Sequence, residues 1–339
     1  GVEFHNAKTM TAQDVVYSLN LHRGEASVSK AKTLLAAISD ITSPAADEVR
    51  ISLSAPNSGF PALMALINLL IVSDGDTDFG KGIGTGGYTL ESFEPGVRSL
   101  VKRFPNYWKE GRAHFDACEV HAIADANART TALQTGQIDA MGAVDTATAM
   151  LLGAMPGIKM LQTKGKQHYA ISMNCKDPLF ADANVRIALK LAMDRQEMLD
   201  KILSGYGSIA NDQPISEAYP DFDPEIPQHS YDPDKAKALL EKAGVSGLTV
   251  PLHVAEAPFT GATNMAQLYA EQAARAGITI DVKREPDDGY WSNIWGKRPM
   301  FATKWSGRVS EDVMLTLAYS RESIGGWNET SWDNEAFNK

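Results

Sequence analysis

Apolar residues recur along the chain at two spacings, every second residue in some segments and every third or fourth in others. Their alternation predicts an α/β architecture. Thr11-Ala-Gln-Asp14, followed by Val15, Val16 and Leu19, has a Thr cap, an acid three residues on and a helical apolar face. Val49–Leu53 alternates as a strand that Ala55-Pro56 ends, and Pro61–Leu70 predicts a buried helix. Ser73–Gly87, rich in Asp and Gly, predicts a loop. Tyr88–Leu90 and Ser99–Arg103 then predict two strands joined at Glu94-Pro95-Gly96. Strands are further expected at Ala117–Ile123, Ile138–Met141, His168–Asn174, Leu248–Val254 and Ile278–Lys283. Helices are expected at Ala126–Thr135, Ala183–Leu203, Lys235–Ala243 and Thr263–Ala276. Gly136, Gly244 and Gly277 stand where helix stops belong, and Gly205–Pro227 is one irregular crossover.

At 339 residues the chain is longer than a typical single domain, so two lobes are expected; 44% hydrophobic residues are enough for a real core. A formal net charge of −10 disfavours nucleic acid as a partner, since phosphate neutralisation needs a basic face. The two cysteines, Cys118 and Cys175, cannot carry the fold as a disulfide framework. One bridge between them or two free buried thiols both remain open. The longest apolar stretch, Phe60–Val72, is interrupted by Pro61 and Asn68 and is too short to span a bilayer. Gly1-Val-Glu-Phe-His5 reads as the middle of a fold, and no signal-peptide pattern is visible in it.

No Walker-type loop, Gly-x-Ser-x-Gly elbow, His-Glu-x-x-His pair or zinc-type Cys/His spacing occurs, so neither a catalytic residue nor a metal ligand is nominated. The seven histidines are scattered singly and read as surface or hydrogen-bonded residues. Gly84-Thr-Gly86-Gly87 lacks the Lys and the following helix of a phosphate cradle and reads as a backbone turn. Glu311-Asp312 and Asp287-Asp288 are adjacent pairs whose side chains diverge, unsuited to acting together on one bond.

The informative chemistry is aromatic. Five of the six tryptophans, Trp291, Trp295, Trp305, Trp327 and Trp332, fall in the last fifty residues. Trp291, Trp295 and Trp332 read as core packing. Trp305-Ser-Gly-Arg308 and Gly326-Trp327-Asn328 set an indole beside small or polar residues, the composition of a small-molecule site with flat apolar walls and a few aimed polar groups.

Several motifs, in order along the chain, resemble family 5 of the extracellular solute-binding proteins, the peptide, nickel and opine receptors of ABC importers. They are Gly1-Val-Glu-Phe-His5 with Thr11-Ala-Gln-Asp-Val-Val16, Ile83-Gly-Thr-Gly-Gly-Tyr88, Phe104-Pro-Asn-Tyr-Trp108 and Leu133-Gln-Thr-Gly-Gln-Ile-Asp139. Further on come Val185-Arg-Ile-Ala-Leu189 with Met193-Asp-Arg195, and Tyr231-Asp-Pro-Asp-Lys-Ala-Lys-Ala-Leu-Leu240. The resemblance implies a two-lobed periplasmic-binding-protein fold of type II, α/β in class, hinged and closing on ligand. The first lobe would run from residue 1 to 163, with an extra subdomain at about 11–74, and the second from 164 to 339, with chain missing at both ends. It implies a periplasmic receptor, or a membrane-anchored lipoprotein in a Gram-positive host. Such a receptor is monomeric, needs no cofactor, catalyses nothing and delivers its ligand to ABC permease subunits.

Two departures from the dipeptide receptors of that family bear on the ligand. Their Asp after Trp-x-Gly, which pairs with a ligand ammonium, is Arg308 here. Their Arg before Pro-Tyr, which holds a ligand carboxylate, falls on Ala257-Pro258-Phe259. The ligand is therefore expected to present an anionic or hydrogen-bond-accepting group to Arg308, as an opine, blocked peptide or acidic conjugate would. The alternative for Arg308 is a local pair with Glu311 or Asp312. The expected ligand residues are Trp305 and Trp327 as walls, Ser306, Arg308 and Asn328 as polar readers with Gly307 between the first two, and Phe259 and Thr85 at the margin. An oligosaccharide or metal-chelate receptor, or a sensory or chaperone-like module without transport, are the rival readings.

Overall fold

The computed structural model describes residues 1–142, 144–163, 165–210 and 212–338, and for Ala147 the backbone alone. Lys164, the first residue of the second lobe in the sequence reading, and the terminal Lys339 lie outside the described residues. The chain forms two compact units, Gly1–Arg129 and Thr130–Lys339.

In the first unit, α1 (Ala12–Asn20) starts where the capping pattern places it, and the Asp14 carboxylate accepts from the Thr11 backbone N–H at 2.7 Å. β1 (Ile38–Ala45) and β2 (Glu48–Leu53) form an antiparallel hairpin against which α1 packs. β1 went unnoticed in the sequence because Ser, Asp and Pro interrupt its apolar alternation. The helix expected at Pro61–Leu70 shrinks to α2 (Phe60–Leu63). Beyond it the backbone continues in tight turns, with Leu66 N–H to Leu63 C=O and Leu69 N–H to Leu66 C=O, and Ile67 and Leu70 are exposed. β3 (Tyr88–Glu94), β4 (Arg98–Arg103) and β5 (Ala117–His121) form an antiparallel sheet in that order. Gly96 at φ 73° closes the turn between β3 and β4, a conformation that disfavours a side chain.

The division between the units falls within α3 (Ala126–Gln134). In the second unit, Ile138–Met141 is not a strand, and α4 (Thr146–Gly153) follows instead. The long helix expected at Ala183–Leu203 is two: α5 (Ala183–Leu191) and α6 (Arg195–Ile202). The break comes at Asp194, whose side chain caps the second helix by accepting from the Glu197 N–H at 3.0 Å. α7 (Pro233–Lys242) begins at the Asp232 cap with Pro233 in its first turn.

The sheet of this unit runs β6-β9-β7-β8, made of β6 (His168–Met173), β7 (Thr249–Val254), β8 (Thr279–Arg284) and β9 (Met300–Trp305). β7 is parallel to β8 and β9, α8 (Ala262–Ala274) connects β7 to β8, and β6 runs antiparallel to β9. Strand alternation sorts β9 between two faces. Met300 and Ala302 enter the main core with α5, α7 and α8, whereas Phe301 packs with Tyr290 and Ile294 around α9 (Tyr290–Asn293). α10 (Glu311–Tyr319) follows β9, capped by the Ser310 hydroxyl at 3.3 Å from the Val313 N–H.

The two cysteines are free. Cys118 is exposed on β5, which corrects the expectation of buried thiols, and Cys175 is half-buried.

Candidate functional site

The face of β9 that carries Phe301 also carries Thr303 and Trp305, two and four residues on. The register pairs Ser172, Ala170 and His168 of β6 opposite them, so all six side chains share one side of the sheet. The chain returns over this face after α10, and Trp327-Asn328-Glu329 lies against it.

At the centre sits Glu329, only 6% exposed. Its carboxylate accepts from the Ser172 hydroxyl at 2.5 Å, the Trp305 indole N–H at 3.0 Å, the Thr303 hydroxyl at 3.2 Å and the Trp295 indole N–H. Burial pushes its pKa up, while the four donors pull it down. Trp327 packs against both other indoles, its ring centroid 5.8 Å from Trp305 and 6.2 Å from Trp295. Arg308 completes the group, with its guanidinium carbon 5.3 Å from the Trp305 ring centre and 5.2 Å from that of Trp327.

The loop presenting Arg308 is pinned. Its backbone N–H donates to the Tyr219 hydroxyl at 3.0 Å, and one guanidinium N–H is spent on the Ser306 carbonyl at 3.0 Å. Gly307 lies so close to Lys166 that an added Cβ would sit 2.6 Å from the Lys166 Cβ and 3.3 Å from its Cα. Among the described residues no carboxylate pairs with Arg308. Glu311 instead accepts from the Asp221 N–H at 3.0 Å, so the alternative of a local pair with Glu311 or Asp312 is not what the structure forms. Arg308 is partly buried, and that burial lowers its pKa.

His168 is also drawn in: burial, and then the charge of Arg308, push its pKa down to about 4, so it is neutral near pH 7. Its Nδ1 and the Trp327 indole N–H are both buried without a hydrogen-bond partner. A cavity of about 30 Å³, roughly the volume of one water, is lined by His168, Ser172, Trp305, Tyr319, Glu329 and Thr330 among others. A larger hollow of about 480 Å³ on the first unit, between Gly87, Tyr88, Tyr107, Lys109, Arg112 and Ala113, opens broadly to solvent. None of its side chains is buried. Buried, aimed polar groups beside aromatic walls belong to the second unit.

Of the residues singled out from the sequence, Trp305, Trp327 and Arg308 come together, with Ser306 and Gly307 in the connecting loop. Asn328 is next to Trp327 but committed: its amide donates to the carbonyls of Ser320 and Trp332, and its oxygen accepts from Thr330. Phe259 is not brought to the group; it is buried in the main core and stacks on Tyr169, ring centroids 4.0 Å apart. Tyr169 alternates with His168 and so lies on the other sheet face. Thr85 lies in the first unit, where its carbonyl accepts from the Trp108 indole at 3.2 Å. The adjoining glycines form a backbone turn tied by His5, whose Nε2 lies 2.9 Å from the Gly86 carbonyl oxygen. Trp295, read as core packing, spends its N–H on Glu329; Trp291 is exposed, and Trp332 packs edge-on to Tyr319 and Phe337. Glu329 and His168 were missed, though alternation from His168 to Ser172 could have paired that strand with the Trp305 strand.

The sheet of strands interleaved with helices, carrying an aromatic and cationic cluster on one face, is the fold of periplasmic binding proteins. AgaA of A. tumefaciens R10, solved with agropinic acid, superposes with a TM-score of 0.90 at 23% identity, over 99% of this chain and 70% of that one. DppA of Helicobacter pylori, solved with the peptide STSA, gives 0.89 at 21% identity, over 100% of this chain and 72% of that one. The family described as bacterial extracellular solute-binding proteins, family 5, middle region, matches residues 1–326, and the chain belongs to that family. Similar proteins include heme-binding protein A of Haemophilus influenzae, 25% identical over 99% of this chain and 68% of that protein. The glutathione-binding protein GsiB of Escherichia coli O6:K15:H31 is 28% identical over 99% and 67%. The chain spans between 58% and 68% of the length of the curated relatives it matches. No helix among the described residues is long and apolar enough to cross a membrane.

Proposed function

We propose that this protein is the solute-capturing receptor of an ABC importer, taking a small ligand with a carboxylate or other oxyanion and delivering it to the permease without chemical change. The observation that carries the ligand class is Arg308, a partly buried guanidinium lying against two indoles and, among the described residues, with no acid paired to it. A buried cation with uncommitted donors is an incomplete hydrogen-bonding system, and a ligand oxyanion completes it. Names among the relatives are compatible with this reading, because glutathione and heme both carry carboxylates. Membership of a solute-binding family supports a role without catalysis. Capture shifts the receptor toward the state the permease recognises. The lobe assignment, 1–163 and 164–339, belongs to the same proposal, as does a subdomain at about 11–74, which α1 packed on the β1–β2 hairpin supports.

Calorimetric titration tests the ligand class with glutathione, a free dipeptide and its amidated form, against wild type and Arg308→Ala. A carboxylate-bearing ligand should bind, and Arg308→Ala should weaken it by about 10- to 100-fold, the span of a charge-assisted bond worth about 1.5–3 kcal/mol. Micromolar binding of a free dipeptide that Arg308→Ala leaves unchanged overturns the reading.

A further inference from the structure

Arg308 raises a question of charge: a guanidinium withdrawn from water ordinarily sits against a carboxylate, and this one sits against two indoles. The nearest buried anion in the cluster is Glu329, and it touches Arg308 nowhere. It touches one of those two rings, Trp305, and a third indole, Trp295. Glu329 takes the N–H of Trp305 at 3.0 Å and the N–H of Trp295, and both rings pack on Trp327. The remaining acceptor capacity of the carboxylate goes to Ser172 on β6 and Thr303 on β9. One side chain thus ties two adjacent strands, the segment after α9 and the loop carrying Trp327.

We propose that Glu329 is the positioning residue of the Arg308 site, orienting the Trp305 plate through its N–H, backing the Trp327 plate through Trp295, and countering the guanidinium through the Trp305 ring rather than by contact. This rests on the reading of Arg308 as the ligand-facing cation. Two physical effects follow from the geometry. An indole donating to a carboxylate gains electron density on its ring, which strengthens the attraction of that face for a cation. A counter-charge placed at the N–H edge of the ring leaves most of the guanidinium donors uncommitted, whereas a direct Arg–carboxylate pair would fill them with a fork-to-fork bond. The site then distinguishes a ligand oxyanion from water or chloride by offering a planar, pre-oriented fork.

The charged and titratable groups around Glu329 are Arg308, His168 from β6, Tyr319 from α10 and Tyr290 from α9. The two tyrosines are raised by burial first, with the Glu329 charge adding to it. None of them hydrogen-bonds to the carboxylate, whose four donors are all uncharged. That is the arrangement expected if its charge is spent on orientation.

The test uses the whole chain without ligand, so that its failure is separable from failure of the ligand-class reading. Tryptophan emission is quenched with iodide, an anion that Arg308 gathers, and with neutral acrylamide, in wild type, Arg308→Met and Glu329→Gln. Near-UV circular dichroism reports how rigidly the indoles are held. Glu329→Gln keeps the shape and loses the charge. It should stay folded by far-UV circular dichroism, lose at least a third of the indole near-UV signal, and lower the iodide-to-acrylamide quenching ratio about 2-fold, to the value of Arg308→Met. A Glu329→Gln protein with wild-type near-UV signal and wild-type ratio overturns the proposal. Should that variant not fold, Trp305→Phe keeps a ring and removes the N–H to Glu329. The same fall in ratio toward Arg308→Met then supports the proposal, and an unchanged ratio overturns it. Arg308→Ala abolishing carboxylate binding beside an inert Glu329→Gln would leave the ligand class standing and remove only the role of Glu329.

Discussion

Among the described residues each unit holds one deeply buried carboxylate, Asp14 and Glu329, each with four hydrogen bonds, and the two behave in opposite ways. Asp14, in the first unit, has no exposed side-chain surface and accepts from Lys8 at 2.5 Å, the Thr11 and Asp74 backbone N–H groups at 2.7 Å each, and the Thr11 hydroxyl at 3.0 Å. Burial pushes its pKa up, but the Asp74 N–H, Lys8 and Thr11 outweigh that and hold it at about 2. Glu329, with as many bonds, is raised. A full set of hydrogen bonds therefore does not by itself settle a buried acid. The charge and kind of the donors decide. Asp14 has a cation and backbone amides and serves as a clasp joining α1 to the segment at Ser73–Asp74. Glu329 has indoles and hydroxyls and, as proposed, orients a surface that faces a ligand.

The comparison breaks most visibly if Glu329 is removed. Glu329→Ala leaves two indole N–H groups without acceptors in the interior and should destabilise the second unit by about 4 kcal/mol in urea unfolding. A loss below about 1 kcal/mol would mean the indoles find water, and the contrast with Asp14 would collapse.

His168 sharpens it next. Its pKa is lowered in the folded state, so its contribution is complete above about 6.5 and is lost as pH falls from there toward 4. The loss, measured as the difference in unfolding free energy between wild type and His168→Asn at pH 8 and pH 4, should approach about 3 kcal/mol. Glu329 acts with the opposite sign, because an acid raised in the folded state costs stability as pH rises. The difference measurement removes that opposing contribution. A flat difference across this range would show that His168 is hydrated.

Asp14 answers in a lower window. Its depressed pKa supplies stability that is whole above about 3.8 and disappears as pH falls toward 2, about 2 kcal/mol in all. Comparing wild type with Asp14→Asn between pH 5 and pH 2 should show a gap that closes only below about pH 3.8. A gap already closed at pH 5 would place Lys8 and the amides elsewhere in solution.

The fold was legible where local rules dominate. Thr11 with Asp14, Asp232 with Pro233, and the turn at Gly96 each write their own element boundary, because caps and positive φ angles are set by neighbours in sequence. Asp194 carried a cap signal too, but the apolar run through Ala183–Leu203 is continuous enough to mask the break before it. Of the site, composition exposed Trp305, Trp327 and Arg308, since a cation and indoles on short polar loops are conspicuous. It could not expose Glu329. An acid beside Trp327-Asn328 looks like any solvated surface acid, and only the return of the chain over β6 and β9 buries it. The same absence of long-range information hid the place of Phe259, whose stacking partner Tyr169 strand alternation puts on the sheet face opposite His168.

The tightness at Gly307 bears on how this receptor could change its cargo over time. With Lys166 filling the space a side chain would need, position 307 is closed to variation, and the path of the loop stays fixed whatever flanks it. Position 308 follows that fixed point and is held by its backbone N–H on Tyr219, a contact that survives exchange of the side chain, while the bond from its guanidinium to the Ser306 carbonyl does not. If Arg308 faces the ligand as proposed, libraries aimed at new ligands should vary residue 308 and leave the glycine before it alone.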